Sequence, residues 1–242
     1  MYSILKKELG SYFGTLGAYI VASAFVLICS LFLWFFDNDF NVFNIGLASL
    51  NSFFVLAPWV LMFLIPALTM RSIAEEEQNG TLIWLFSQPV SISAVVLGKY
   101  FATLVLTLFA LSASAVYAYS VYKISLPEGN IDLGMVFSGY IGLVFLSMAF
   151  AALGIFSSSL VKNQVLAFVV GVFFCFFAFF GFESLASYNL LGSFDYTLSK
   201  IGFYQHYISF TKGIVDTRDL GYFLFVVFLF LFLSIRLVKK KK

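Results

Sequence analysis

The sequence predicts an all-α integral membrane protein with six transmembrane helices, an N-terminal interfacial elbow helix, a short cytoplasmic helix after the second span and an outer amphipathic helix before the last. Three observations predict it. Hydrophobic residues make up 62% of the chain and charged residues 11%, with a mean hydropathy of +0.99, which leaves too little polar surface for a soluble fold. The apolar runs are long and continuous, and do not alternate with polar residues as the strands of a membrane barrel do. With the termini placed in the cytoplasm, ten basic residues fall inside (Lys6, Lys7, Arg71, Lys99, Lys162, Arg236 and Lys239 to Lys242) against four outside (Lys123, Lys200, Lys212 and Arg218).

The elements follow in order along one domain, residues 1–242. Ile4, Leu5, Leu9, Tyr12 and Phe13 share one helical face while Lys6 and Lys7 lie off it, the pattern of an elbow helix at headgroup depth. The first span, about 15 to 36, is too long for a signal-peptide core and no small-residue cleavage site follows it, so it is retained. The second, about 53 to 70, carries Pro58 and Pro66, which either kink it or are tolerated by packing. "RSIAEEEQ" extends the helix out of the membrane until "NG" stops it; Thr81 then caps "LIWLFSQ", which Pro89 ends, and Ser91 or Ser93 caps the third span.

That third span covers about 95 to 121, a Pro/Gly turn "YKISLPEGNID" follows, and the fourth and fifth spans, about 135 to 157 and 165 to 182, are separated by the short "SSSLVKNQ". In the long segment 183–219, Phe203, Tyr207, Phe210 and Ile214 recur at helical spacing, which predicts an amphipathic helix on or in the outer leaflet. Asp216 caps the last span, about 220 to 237, with Asp219 near its positive end, and "RLVKKKK" anchors the tail on the inside.

Chemistry is sparse. No catalytic residue, cofactor site or metal ligand set is legible, and the basic residues serve topology rather than nucleic-acid binding. Cys29 and Cys175 read as packing residues inside apolar runs. "SAVVLGKY" lacks the first Gly and the final Ser or Thr of a phosphate loop, so any nucleotide is bound by another chain. Every acidic and basic residue lies in a loop or near a span end, with Lys99 expected to reach back to the surface, which disfavours an ion-coupled carrier. The single histidine, His206, reads as an interfacial aromatic with a local hydrogen bond in preference to a proton switch.

The helix at about 81 to 88 is too short to cross a bilayer, yet Leu82, Ile83, Trp84, Leu85 and Phe86 make it apolar almost all round, so lipid, the protein's own body or a partner must cover it. Here the sequence resembles the type-2 ABC transporter permeases. "IAEEEQNGTLIWLFSQPVSISAVVLGK" is similar to the loop between their second and third spans, matching at Glu75, Glu76, Glu77, Gly80, Thr81, Leu82, Pro89, Val90, Gly98 and Lys99. "SSSLVKNQVLAF" resembles their second cytoplasmic turn, here Lys162, Asn163 and Gln164, and "QHYISFTKGIVDTRDLGYF" their outer segment before the last span, here with His206, Tyr207 and Phe210, the outer helix that Phe203 begins.

The resemblance implies a coupling helix that seats on a cytosolic ABC ATPase subunit, through Glu76, Glu77, Thr81, Leu82, Trp84, Leu85 and Phe86. It also implies a second permease subunit, identical or different, a lipid surround, and the bacterial cytoplasmic membrane with both termini inside. Glu75 is expected on a solvated face. Within the family the short loops and Phe-rich spans look most like the gliding-motility permeases, and the nitrous-oxide-reductase maturation permeases share much of the pattern. Trp84 departs from the acidic residue that many relatives carry. A non-transporting membrane scaffold would use the same helix merely to hold a partner.

Overall fold

Residues that strongly favour lipid over water must satisfy their backbone groups within the segment, and helices are the result. The computed structural model describes residues 1–46, 49–82, 90–187 and 199–241, and all its regular structure there is helical. Helix α1 is Tyr2–Phe13; α2 is Gly17–Ser30 and continues as a π-helical turn, Leu31–Phe35. The short α3, Val42–Ile45, precedes α4, Asn51–Thr69, and α5, Ala74–Gln78. Then come α6, Ile92–Ala113, α7, Ala115–Ile124, α8, Leu133–Leu160, and α9, Gln164–Phe176, which passes through a π-helical turn, Phe177–Gly181, into α10, Phe182–Ser187. Helices α11, Phe203–Thr211, and α12, Thr217–Lys240, complete the order.

Among the described residues, six helical stretches are long and apolar enough to cross a membrane: Gly17–Phe35, Asn51–Gln78, Ile92–Ile124, Leu133–Leu160, Gln164–Ser187 and Thr217–Lys240. Each predicted span overlaps one of these. The second and third are longer than expected, because α5 follows α4 after the turn at Met70 to Ile73, and α7 resumes after a break at Ser114. Pro58 and Pro66 are both buried inside α4, which runs through them.

Span four is the hub. Helix α8 packs against α4, α6, α9, α11 and α12, while α2 packs on α4 and α6. In lipid there is no hydrophobic drive between apolar helices, so close approach of small residues decides the packing. The buried side of α8 supplies them: Ser138, Gly142, Ser147, Ala151, Gly154 and Ser158 are all buried. A Cβ at Gly154 would lie 2.2 Å from Thr69 Oγ1, so α4 and α8 meet there only because residue 154 has no side chain. The second, third and fourth spans are 61, 67 and 72% buried, against 28, 22 and 33% for the first, fifth and sixth, which leave apolar faces to lipid or to another subunit.

Helix α1 has the predicted face, with Ile4 buried, Leu5, Leu9, Tyr12 and Phe13 half-buried, and Lys6 and Lys7 exposed. Two expectations are corrected. Ile214 is not on the outer helix face: α11 stops at Thr211, Gly213 adopts φ +85, and Ile214 is 59% exposed. Lys99 does not reach the surface, being only 5% exposed, for a reason that lies in the site itself.

Candidate coupling site and outer helix

The loop after the second span starts from a buried hydroxyl. Ser158 Oγ on α8 accepts from the backbone N–H groups of Ile73 and Ala74, both at 3.0 Å, and donates to the Met70 carbonyl at 3.2 Å. It therefore satisfies donors that the start of α5 leaves open, and ties the turn between α4 and α5 to the hub. Helix α5 then presents Glu75, Glu76 and Glu77 in its first turn.

Two of these carboxylates are held internally. Lys99 Nζ donates to Glu76 Oε1 and to Glu8 Oε1 on α1, each at 2.8 Å, with both glutamates 19% exposed. A lysine so deep keeps its charge only where carboxylates surround it, and this explains why Lys99 stays inside. Gly98 makes the approach of α1 possible, since a Cβ there would lie 2.9 Å from Ile4 Cγ2. Tyr12 adds a hydrogen bond to the Leu68 carbonyl at 3.3 Å, and burial pushes its hydroxyl above the ordinary phenol value. Glu77 is paired with Lys241 of the tail and lies 3.8 Å from the exposed Lys162. Glu75 is half-buried at a cleft of 730 Å³ that Glu8, Arg71, Glu76, Thr81 and Lys99 also line.

Gly80, at φ +69, turns the chain after α5, as "NG" predicts. Thr81 Oγ1 donates back to the Glu76 carbonyl at 3.2 Å, and Leu82 is buried. The rest of the expected coupling helix, including Trp84, Leu85 and Phe86, lies outside the described residues, as does Pro89. On the far flank Ser91 Oγ accepts from the Ala94 N–H at 3.2 Å and caps α6. Asn163 Oδ1 caps α9 by accepting from Val165 and Leu166 at 2.8 and 3.2 Å, and Gln164 is the first residue of that helix. Glu76, Glu77, Thr81, Leu82 and Lys162 thus gather at the end of the bundle that holds both chain termini.

Glu8 was missed by sequence reasoning. The signal was Lys99 itself: a lysine in an apolar run either reaches to water or meets a carboxylate, and in the elbow the one carboxylate is Glu8.

Helix α11 lies toward the other end. Phe203, Tyr207 and Phe210 are buried; Tyr207 donates to the Phe54 carbonyl at 2.7 Å, and Ser138 to the Phe210 carbonyl at 2.7 Å. The helix is therefore inserted into the protein rather than laid on lipid. His206 Nδ1 is 2.7 Å from Asp219 Oδ1 and its Nε2 2.8 Å from the Lys200 carbonyl. Asp216 accepts from the Arg218 N–H at 2.9 Å, the predicted cap of the last span. Beside α11 a 390 Å³ cavity is lined by Asn51, Trp59, Phe180, Tyr204, Tyr207 and Lys212. A second, almost wholly apolar groove of 580 Å³ runs between the first two spans, with Ile28, Phe32, Phe63, Leu64 and Phe168 on its walls.

No curated protein matches the chain. A family model described as "ABC-2 family transporter protein" matches residues 2–197, which takes in the elbow, the first five spans and the glutamate loop, without distinguishing a branch of that family. The chain belongs to the ABC-2 family of transporter proteins, as a membrane permease component whose ATPase is a separate subunit.

Proposed function

We propose that this chain is the permease half of an ATP-driven exporter of the gliding-motility type. It pairs with a second permease and sits on two cytosolic ATPase chains, with both of its own termini in the cytoplasm. The chain does no bond chemistry. Its work is mechanical: residues 81 to 88 take up motion from the ATPase, and the spans convert it into alternate opening of a cavity. The apolar groove between the first two spans faces the second permease in this reading.

The observation that carries the reading is the anchorage of the loop base. Glu76 is bound to α6 and α1 through Lys99, and Glu77 to the tail through Lys241. A loop that transmits force needs such a base, whereas an apolar helix resting on lipid does not. Glu76 and Glu77 accordingly hold the loop in place, and the contact with the ATPase falls to Trp84, Leu85 and Phe86.

The test is pull-down of the ATPase by the Trp84→Ala/Leu85→Ala double variant, beside ATP-driven function in the same cells. A buried aromatic anchor is worth about 2 kcal/mol or more on truncation, so binding should weaken roughly 30-fold or beyond while the permease stays inserted. Wild-type binding together with wild-type function would mean that the helix lies on lipid.

A further inference from the structure

Helix α4 is covered on every side but one. Its exposed residues are Asn51, Val55, Trp59, Phe63 and Ala67, each four positions after the last, so one slanting ridge of the second span is left open. Two cavities meet on that ridge. Asn51, Val55 and Trp59 line the 390 Å³ cavity beside α11, and Trp59, Phe63 and Ala67 line the 580 Å³ groove between the first two spans. Trp59 belongs to both, about 12 Å along the helix from Asn51 at a rise of about 1.5 Å per residue.

The two ends of this track differ in chemistry. At the first stand the Asn51 amide and the exposed ammonium of Lys212, which among the described residues is the one charged side chain lining the cavity and has no carboxylate partner. Asp132, at the neighbouring start of α8, is engaged in capping that helix through the Met135 N–H at 3.0 Å. Midway, the Trp59 ring lies 4.3 Å from that of Phe180, and Phe180 lies 6.1 Å from Tyr204, which makes an aromatic waist. Beyond Trp59 the groove walls, Ile28, Phe32, Leu64 and Phe168 among them, carry neither charge nor a hydrogen-bonding group. A sugar or a peptide laid there would lose its water without replacement, whereas an alkyl chain has none to lose. An anionic group at the other end gains the Lys212 ammonium. We propose that the track binds an amphiphilic anion, an alkyl chain with one negatively charged head group, with the head at Lys212 and the chain passing Trp59 into the groove. This rests on the reading of the chain as an exporter's permease and names the class of its cargo; the second permease closes the open side of the track.

The probe is hexadecyl phosphate with a diazirine on its chain, photolysed with the full chain in nanodiscs of zwitterionic lipid and mapped by mass spectrometry. Labels should fall on α4 between Val55 and Phe63. Excess unlabelled hexadecyl phosphate should abolish them, and hexadecyltrimethylammonium at the same concentration should not. Labels on the exposed Phe225 and Phe228 of α12 should be indifferent to both competitors. Lys212→Glu should reverse the order of the two competitors at α4. Labelling of α4 that excess hexadecyl phosphate leaves unchanged would overturn the proposal, because bulk lipid or a second copy of the chain then fills the track. Equal competition by the two head groups in the wild type would overturn it as well, and so would an unchanged order in Lys212→Glu. The wild-type comparison decides alone if that variant does not fold. The measurement needs neither ATP nor the ATPase, so its failure strikes the cargo class alone, whereas pull-down with the Trp84→Ala/Leu85→Ala variant tests the exporter reading by itself.

Discussion

Lys99→Ala tests the view that the loop base is held by buried charge. The ammonium is 5% exposed and sits 2.8 Å from carboxylates on two different helices, so its removal leaves Glu8 and Glu76 facing each other with no counter-charge. Breaking a buried pair in this way costs about 3–5 kcal/mol, whereas replacing all its members with neutral groups of similar size is often neutral. Lys99→Ala should therefore lower the ratio of folded to unfolded protein by roughly 150-fold or more, at about 1.4 kcal/mol per factor of ten. The triple variant Lys99→Met/Glu8→Gln/Glu76→Gln should stay near wild type, and Glu8→Gln alone should fall between, because the Lys99 to Glu76 contact survives. Reversible unfolding in mixed micelles, followed by helical circular dichroism, measures all three. A cost for Lys99→Ala below about 1 kcal/mol would refute the reasoning, since an uncompensated buried carboxylate pair cannot be that cheap.

Four further outcomes follow. Gly154→Ala places a Cβ 2.2 Å from Thr69 Oγ1 and should destabilise by about 1–3 kcal/mol in the same assay, partly relieved by Thr69→Ala. Ser158→Ala leaves the Ile73 and Ala74 N–H groups without their buried acceptor and should cost about 1–3 kcal/mol, with faster hydrogen exchange at both amides. Tyr207→Ser with Phe210→Ser should impair ATP-driven function without loss of ATPase pull-down, because both side chains lie in α11 and away from the loop base; loss of assembly would point to a purely structural role. A cysteine at Ser199 should react with an impermeant thiol reagent from outside the cell and one at Lys242 should not, and the reverse result would invert the topology.

The number, order and approximate bounds of the spans were legible because lipid imposes its constraint locally: a run of apolar residues long enough to cross must be a helix whatever its neighbours are. The caps at Ser91 and Asp216 and the turn at Gly80 are equally local, being short-range bonds between a side chain or a glycine and the adjacent backbone. The periodicity of Phe203, Tyr207 and Phe210 marked a one-sided helix, but an apolar face reads the same against lipid as against protein. Only the packing of α11 on α8, with Tyr207 bonded to a carbonyl 153 residues away, decided between them. The same holds for charge. Lys99 near a span end has two solutions, reaching to water or meeting carboxylates, and sequence position alone favours the first. The tertiary structure decided for the second by bringing Glu8 and Glu76, 91 and 23 residues distant, to the same ammonium, because a buried charge is tolerable only where partners from separate helices converge on it.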